Sequence, residues 1–256
     1  MKIVTLKQDL IHTGNLILVN ADYPYKENLA HYILQPVSLT VNKISLESHA
    51  VKHLSNIMDK LNCWEQITAV SGWRSMREQQ QIYLQSLKDH GISFTNKFVA
   101  LPGHSEHQTG LAIDLALKKE CIDFLCPDFP YTGVCQTFRQ NAISYGFIER
   151  YPQGKASITG IAHEPWHFRY VGLPHAEIMT KHSLVLEEYI DFLKDYPYGE
   201  KYYSYNIKDT CTMVSYLKAN KGTNTPFKID NHIPYSISGN NIDGFIITEW
   251  RNKNGV

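Results

Sequence analysis

"HEPWHFRYV", residues 163–171, places two histidines four apart around a glutamate, a literal H-E-x-x-H. On a helix that spacing sets both imidazoles on one face, where they can share a zinc ion. Pro165 opposes the helix. It has no N–H, its ring clashes with the carbonyl four residues back, and it drives Glu164 towards extended backbone. Phe168-Arg169-Tyr170-Val171 then reads as strand rather than continuing helix. The helical reading makes His163 and His167 a ligand pair, with Glu187 placed as a downstream third ligand. The extended reading starts a strand at His167, lays Glu164 beside it and leaves His163 a bystander. Two further ligands must then come from elsewhere. The proline favours the extended reading.

The stretch richest in ligands is "HSEHQTGLAID", residues 104–114. His107 lies in a loop, Gly110 permits a tight turn, and Asp114 stands on the strand that follows. His107, Asp114 and His167 make a two-nitrogen, one-oxygen set with a fourth position open to water. That is the plan of a catalytic zinc site, since structural sites are closed by four protein ligands, usually rich in cysteine. A lone histidine is usually a surface or core polar group and a lone aspartate a solvated one; the conjunction is what points to a metal. An open zinc lowers the pKa of bound water to roughly 7, and hydrolysis still needs a base for the proton. Glu164, three residues from a ligand and held by the proline, is the candidate.

The rest of the chain narrows the class. At 256 residues it can bury a sizeable core in one or two domains. Hydrophobic residues make up 43% and charged residues 20%, ordinary for a globular enzyme, and the formal net charge is +0. No basic field draws it to nucleic acid or an anionic membrane. The first 25 residues hold no apolar run fit for a signal peptide, and no transmembrane stretch is evident. The five cysteines at 63, 121, 126, 135 and 211 lack CxxC spacing and read as unpaired thiols of a reducing compartment. The expectation is a cytoplasmic protein.

Local patterns predict a strand at 15–20 ("NLILVN"), then loop with local turns through "YPYKENLAHYILQPVSL". A helix over Ser45–Leu61 follows from its apolar spacing, and a strand at 67–73 ends near Gly72. Ser75 and Glu78 form a capping-box pattern for a helix that Gly91 closes. Residues 94–110 read as a polar loop, 111–117 as a strand, 134–145 and 174–194 as helices. Beyond residue 195 the chain becomes tyrosine-rich and β-branched with turn chemistry between strands. The expected division is a catalytic domain over 1–195 and a β-rich extension over 196–256.

Two stretches carry a family resemblance. "SEHQTGLAID" fits S-x-H-x-x-G-x-A-x-D, and "EPWH" fits the E-x-x-H motif of the VanY-like D-alanyl-D-alanine carboxypeptidases. These are zinc peptidases related to the D-Ala-D-Ala dipeptidases, lysostaphin-type peptidases and the hedgehog domain. "SGWRSMREQ" (71–79) resembles a third block of that family, and the likeness runs through about residues 45–195. It implies an α+β fold with an antiparallel sheet and flanking helices, here with a small C-terminal β-rich extension. It implies one Zn2+ on His107, Asp114 and His167, with Glu164 as general base. It assigns Arg74 to the polarised carbonyl or the substrate, and Ser105 and Gln79 to substrate contacts. Trp73 and Trp166 are expected to wall the pocket. The chain is most similar to the VanXY branch. The implied substrates are small peptides, D-Ala-D-Ala and the UDP-linked pentapeptide precursor, in glycopeptide (vancomycin) resistance. Loops 92–103 and 117–133 flank the motifs and are expected to decide between those substrates.

Other readings stay open at this stage. An L,D-carboxypeptidase of the same family and a non-catalytic zinc module share the ligand pattern. A serine D,D-peptidase is suggested by Ser215-Tyr216-Leu217-Lys218, an S-x-x-K, with Ser238-Gly239-Asn240 downstream, although no K-T-G follows.

Overall fold

Glu164–Tyr170 is a strand, so the helical reading of H-E-x-x-H falls. The computed structural model describes residues 1–26, 33–37, 44–207 and 210–252. The chain divides into two compact units, Val19–Val185 and a second made of Met1–Leu18 with Leu186–Val256.

The second unit opens the chain with β1 (Lys2–Leu6). The larger unit then runs β2 (Leu34–Pro36), β3 (Ser45–Glu47), α1 (Ser48–Leu61), β4 (Ile67–Ser71), α2 (Met76–Phe98), β5 (Ala112–Leu117), α3 (Gly133–Ala142), β6 (Phe147–Tyr151), α4 (Ala156–Thr159), β7 (Glu164–Tyr170) and α5 (His175–Lys181). Its four-stranded sheet has the order β4-β5-β7-β6, every neighbouring pair antiparallel. α1 buries Ala50, Val51, Leu54, Ile57 and Met58, the apolar stripe of an amphipathic helix. These side chains share one core with Ile113 and Leu115 of β5, Phe147 of β6 and Phe168 of β7. Helix and strands are thus α+β, as expected from sequence.

Several predicted boundaries move, each for a physical reason. α1 starts at Ser48, not Ser45, because Ser45–Glu47 pairs with β2 and the Glu47 carboxylate accepts from the His49 and Ala50 N–H groups. The capping box of Ser75 and Glu78 forms as read. Gly91 kinks α2 instead of ending it, with φ 76°, and the helix continues to Phe98. The buried hydroxyls of Ser86 and Thr95 meet across that kink at 2.8 Å, so residues 94–98 are not loop. The single helix expected over 174–194 is interrupted, Ser183 taking a positive φ of 54° between α5 and α6 (Leu186–Lys194).

In the second unit, α6 is followed by β8 (Tyr203–Ile207), β9 (Thr210–Lys218), β10 (Thr225–Ile229), β11 (Tyr235–Gly239) and β12 (Gly244–Asn252). β11-β12-β9-β8 form one antiparallel sheet and β1-β10 a separate pair. Leu6, Phe227, Ile229, Phe245 and Ile247 are its core. The extension is therefore β-rich as expected, but the boundary at 195 is not where the chain divides. β1 hydrogen-bonds to β10, so the first eighteen residues and α6 join residues 195 onwards. Residues 15–20 are not a strand either. Leu16 and Leu18 are buried, but their N–H groups go singly to Ser238 Oγ and the Asn240 carbonyl rather than into a ladder. Of the loop predicted over 23–39, residues 27–32 and 38–39 lie outside the described residues, and Leu34–Pro36 is not loop but β2, drawn into a ladder by Ser45–Glu47. Among the described residues no helix is long and apolar enough to cross a membrane.

Candidate metal centre

Sheet register assembles the site. Asp114 on β5 lies directly opposite His167 on β7 and opposite Ser71 on β4. Cross-strand partners share a face of the sheet, so this pairing puts carboxylate and imidazole side by side. His107 arrives from the turn Glu106–Thr109, closed by Gly110 at φ 71°. A Cβ on Gly110 would lie 3.1 Å from the Glu47 nitrogen, so both conformation and space require glycine there. Glu164 and His167 are three apart and would face opposite ways on a regular strand. The β6-β7 register slips between Glu149↔Phe168 and Tyr151↔Glu164, which turns Glu164 back towards His167. Pro165 sits in that irregularity, a position where a residue without an N–H costs the ladder nothing. Arg139 donates to the Pro165 carbonyl at 2.9 Å and holds the bend.

His107, Asp114 and His167, all buried, bring their ligand atoms within 4.8 Å of one another. His107 Nδ1 is 2.8 Å from the Gly72 carbonyl, which can only accept, so Nδ1 carries the proton and Nε2 the lone pair. That Nε2 lies 3.1 Å from Asp114 Oδ2, and His167 Nδ1 lies 3.0 Å from Asp114 Oδ1. Burial, reinforced by the nearby Arg74 cation, depresses His107 to about 4, so its imidazole is neutral at physiological pH. Asp114 is held well below the carboxylate range: its two histidine partners overcome the effect of burial. His167 goes the other way, to about 9, because Asp114, Glu106 and Glu164 outweigh burial. Two imidazole nitrogens and one carboxylate oxygen converging within 4.8 Å of one another fit a zinc-sized cation with an open coordination position.

Glu164 places Oε2 3.7 Å from His167 Nδ1 and is pushed up to about 8, first by burial and then by the charge of Asp114, against His167 and Arg74. Arg74 donates Nε to Ser71 Oγ at 2.7 Å, Nη1 to Gln79 at 3.2 Å and Nη2 to Asp114 Oδ2 at 3.0 Å. Tyr151, Trp166, Phe124, Leu125 and Ile161 line the same cleft, and the ring of Phe124 lies 5.5 Å from the Arg74 guanidinium.

The remaining expected site residues divide. Ser105 lines the cleft and is buried. Trp166 lines it too and packs against Phe98. Trp73 does not: the residue is 36% exposed and outside the cleft lining, while its backbone N–H donates to the Ser45 carbonyl. Gln79 also lines the cleft, and both ends of its amide are engaged. It accepts from Arg74 and donates to the Ala100 carbonyl, so it braces Arg74. His163 is outside the ligand cluster, its Nε2 2.7 Å from the Tyr131 hydroxyl. Glu187 is outside it as well. Ser215 and Lys218 lie on β9, three apart, where alternation turns them to opposite faces, and no helix begins there. The serine-peptidase geometry is absent from the described residues.

A family model described as "VanY: D-alanyl-D-alanine carboxypeptidase" matches residues 43–173. The chain belongs to this family. Among VanY relatives, the bifunctional D-Ala-D-Ala dipeptidase and D-Ala-D-Ala carboxypeptidase VanXYC of Enterococcus gallinarum is 44% identical over 183 residues, 70% of this chain and 95% of that protein. The solved structure of the vancomycin resistance D,D-dipeptidase VanXYg, in complex with a D-Ala-D-Ala phosphinate analog, is similar with TM-score 0.94 and 47% identity. It covers 98% of this chain and 99% of its own, so the likeness includes the second unit. A vancomycin resistance D,D-pentapeptidase VanY variant in complex with Zn(II) is 30% identical with TM-score 0.56, over 69% of this chain and 98% of its own.

Sequence reasoning missed Glu106, Arg150 and Arg169. Glu106 sits inside the motif "SEH", where it reads as a spacer, yet it is 2% exposed. Arg169 was legible: two residues beyond His167 on a strand, it shares that histidine's face.

Proposed function

We propose that this VanY-family chain is a zinc D,D-peptidase that cleaves D-Ala-D-Ala and removes the C-terminal D-alanine of the UDP-linked pentapeptide precursor. By clearing these termini it contributes to vancomycin resistance. The observation that carries the reading is the buried convergence of His107, Asp114 and His167 beside Glu164 and Arg74. The free cysteines support action in a reducing compartment, the cytoplasm.

His107, Asp114 and His167 would hold one zinc ion, which supplies Lewis-acid polarisation of the scissile carbonyl and activation of water. Glu164 takes up the proton released by the attacking water and passes it to the departing D-alanine amine. Burial, with the charge of Asp114 nearby, raises its proton affinity into the range where one group can do both. Arg74, fixed by Ser71 and Gln79, offers a permanently charged planar fork to the developing oxyanion or to the terminal carboxylate. Trp166, Phe124, Leu125 and Ile161 form an apolar wall against which alanine methyl groups pack. The segments around 92–103 and 117–133 contribute Phe98, Val99, Ala100, Phe124 and Leu125 to this cleft, which supports their role in choosing between dipeptide and pentapeptide.

The direct test is an HPLC assay of D-alanine release from D-Ala-D-Ala and from the UDP-linked pentapeptide, with and without a chelator. Both releases are expected, and both stop on chelation and return with zinc. Activity that persists without metal, or covalent labelling by a β-lactam, overturns the reading. A second expectation follows from protonation. In the metal-free protein, pH 7 lies below the values of Glu164 (about 8) and His167 (about 9), so both hold their protons. Zinc binding then expels roughly two protons at pH 7 and close to none above about pH 10, as calorimetry in buffers of different ionisation enthalpy will show. Proton release that does not vary with pH contradicts it.

A further inference from the structure

Glu106 is a buried acid that the proposed chemistry does not use. Its Oε1 accepts from Arg150 Nε at 2.7 Å and lies 2.8 Å from Arg169 Nη1, and all three side chains are fully enclosed. Its Oε2 has no hydrogen-bond partner within strict geometry, and neither has His167 Nε2; the two atoms face each other at 3.5 Å. Of the polar atoms described around this imidazole, Glu106 Oε2 faces Nε2, while Asp114 and Glu164 face Nδ1. Two guanidinium groups within 2.8 Å of Oε1 make Glu106 the carboxylate of a buried ion-paired cluster. An ionised carboxylate can only accept, so His167 Nε2 is the protonated nitrogen and Nδ1 keeps the lone pair.

We propose that Glu106 is a positioning residue of the metal centre: clamped by Arg150 and Arg169, its carboxylate holds His167 by Nε2 and aims Nδ1 at the point shared with Asp114 and His107. The inference rests on the zinc reading above. It assigns the two arginines a definite task. Both bind the same oxygen, which leaves the other for His167, and their charge holds Glu106 out of the ligand set. A carboxylate that accepts from the far nitrogen of a ligating imidazole orients the ring and raises its basicity, and its loss typically weakens metal binding by ~10–100-fold.

Two measurements on the full chain test it. In the zinc-loaded, 15N-histidine-labelled protein, long-range proton–nitrogen correlation is expected to show His167 protonated at Nε2, with that proton slow to exchange. Glu106→Asp keeps the charge beside the arginines but withdraws the carboxylate from His167. Chelator competition is expected to show zinc affinity reduced by ~10–100-fold in a protein that retains its fold by circular dichroism. A folded Glu106→Asp with unchanged affinity, or a wild-type His167 that binds zinc with Nε2 unprotonated, overturns the inference while leaving the zinc site standing. If that variant does not fold, the wild-type spectrum decides alone. A wild-type chain that takes up no zinc overturns the site itself.

Discussion

Glu164→Gln is expected to bind zinc as the unchanged chain does, yet to release D-alanine roughly 10²–10⁴-fold more slowly, the usual share of a general acid–base group. Glutamine preserves the shape of the side chain at the bend before Trp166 but cannot take a proton. A second readout separates chemistry from packing. The folded-state value of Glu164 is raised to about 8, above the ordinary carboxylate value of 4.5. For an acid shifted upwards, folding stability is complete below the unfolded value and declines as pH rises towards the folded one. Metal-free Glu164→Gln lacks that decline. Its melting temperature is therefore expected to exceed that of the unchanged chain at pH 8–9 and to match it near pH 4. Turnover within tenfold of wild type, or loss of zinc, would remove Glu164 from its assigned role.

Arg74→Lys is the second large effect. Loss of one preorganised donor to an oxyanion commonly costs about 10²–10³ in kcat, and lysine is not expected to recover it. The guanidinium here bonds to Ser71, Gln79 and Asp114 at once, three directions that a single ammonium on a flexible stem cannot reproduce. Zinc affinity is expected to stay the same or to rise in Arg74→Ala, since that variant removes a cation 3.0 Å from Asp114 Oδ2. Steady-state kinetics with metal titration check both points. A kcat near wild type in either variant, or a metal-free Arg74→Ala, contradicts the assignment.

Much of the centre could be read from residues because its members are short-range punctuation. Pro165 decides strand over helix by covalent geometry alone, and Gly110 marks the turn that delivers His107 to the strand bearing Asp114. The capping box at Ser75 is equally local. What escaped were features that depend on pairing partners far along the chain. The burial of Glu106 is defined by Arg150 and Arg169, and no periodicity near residue 106 announces them. Gln79 and Trp73 belong to a block that resembles the family, but only the fold turns one towards Arg74 and leaves the other at the surface. Gly91 reads as a stop, whereas the Ser86–Thr95 contact carries the helix through it. The division near residue 195 follows a change of texture in the sequence, and texture is blind to a strand contributed by the other terminus.

That strand has a consequence for biosynthesis. Lys2 leaves the ribosome 227 residues (229 − 2) ahead of its ladder partner Ile229. Until Thr225 has emerged, Leu6 has no β10 to pair with, and β1 must wait. Everything from Val19 to Val185 can meanwhile reach its native arrangement from contacts within itself, as domains generally do during synthesis. A stop codon at 195 would therefore leave β1 without its partner as well as remove β8 to β12, so a fragment meant to keep the metal centre is better drawn as the compact unit 19–185.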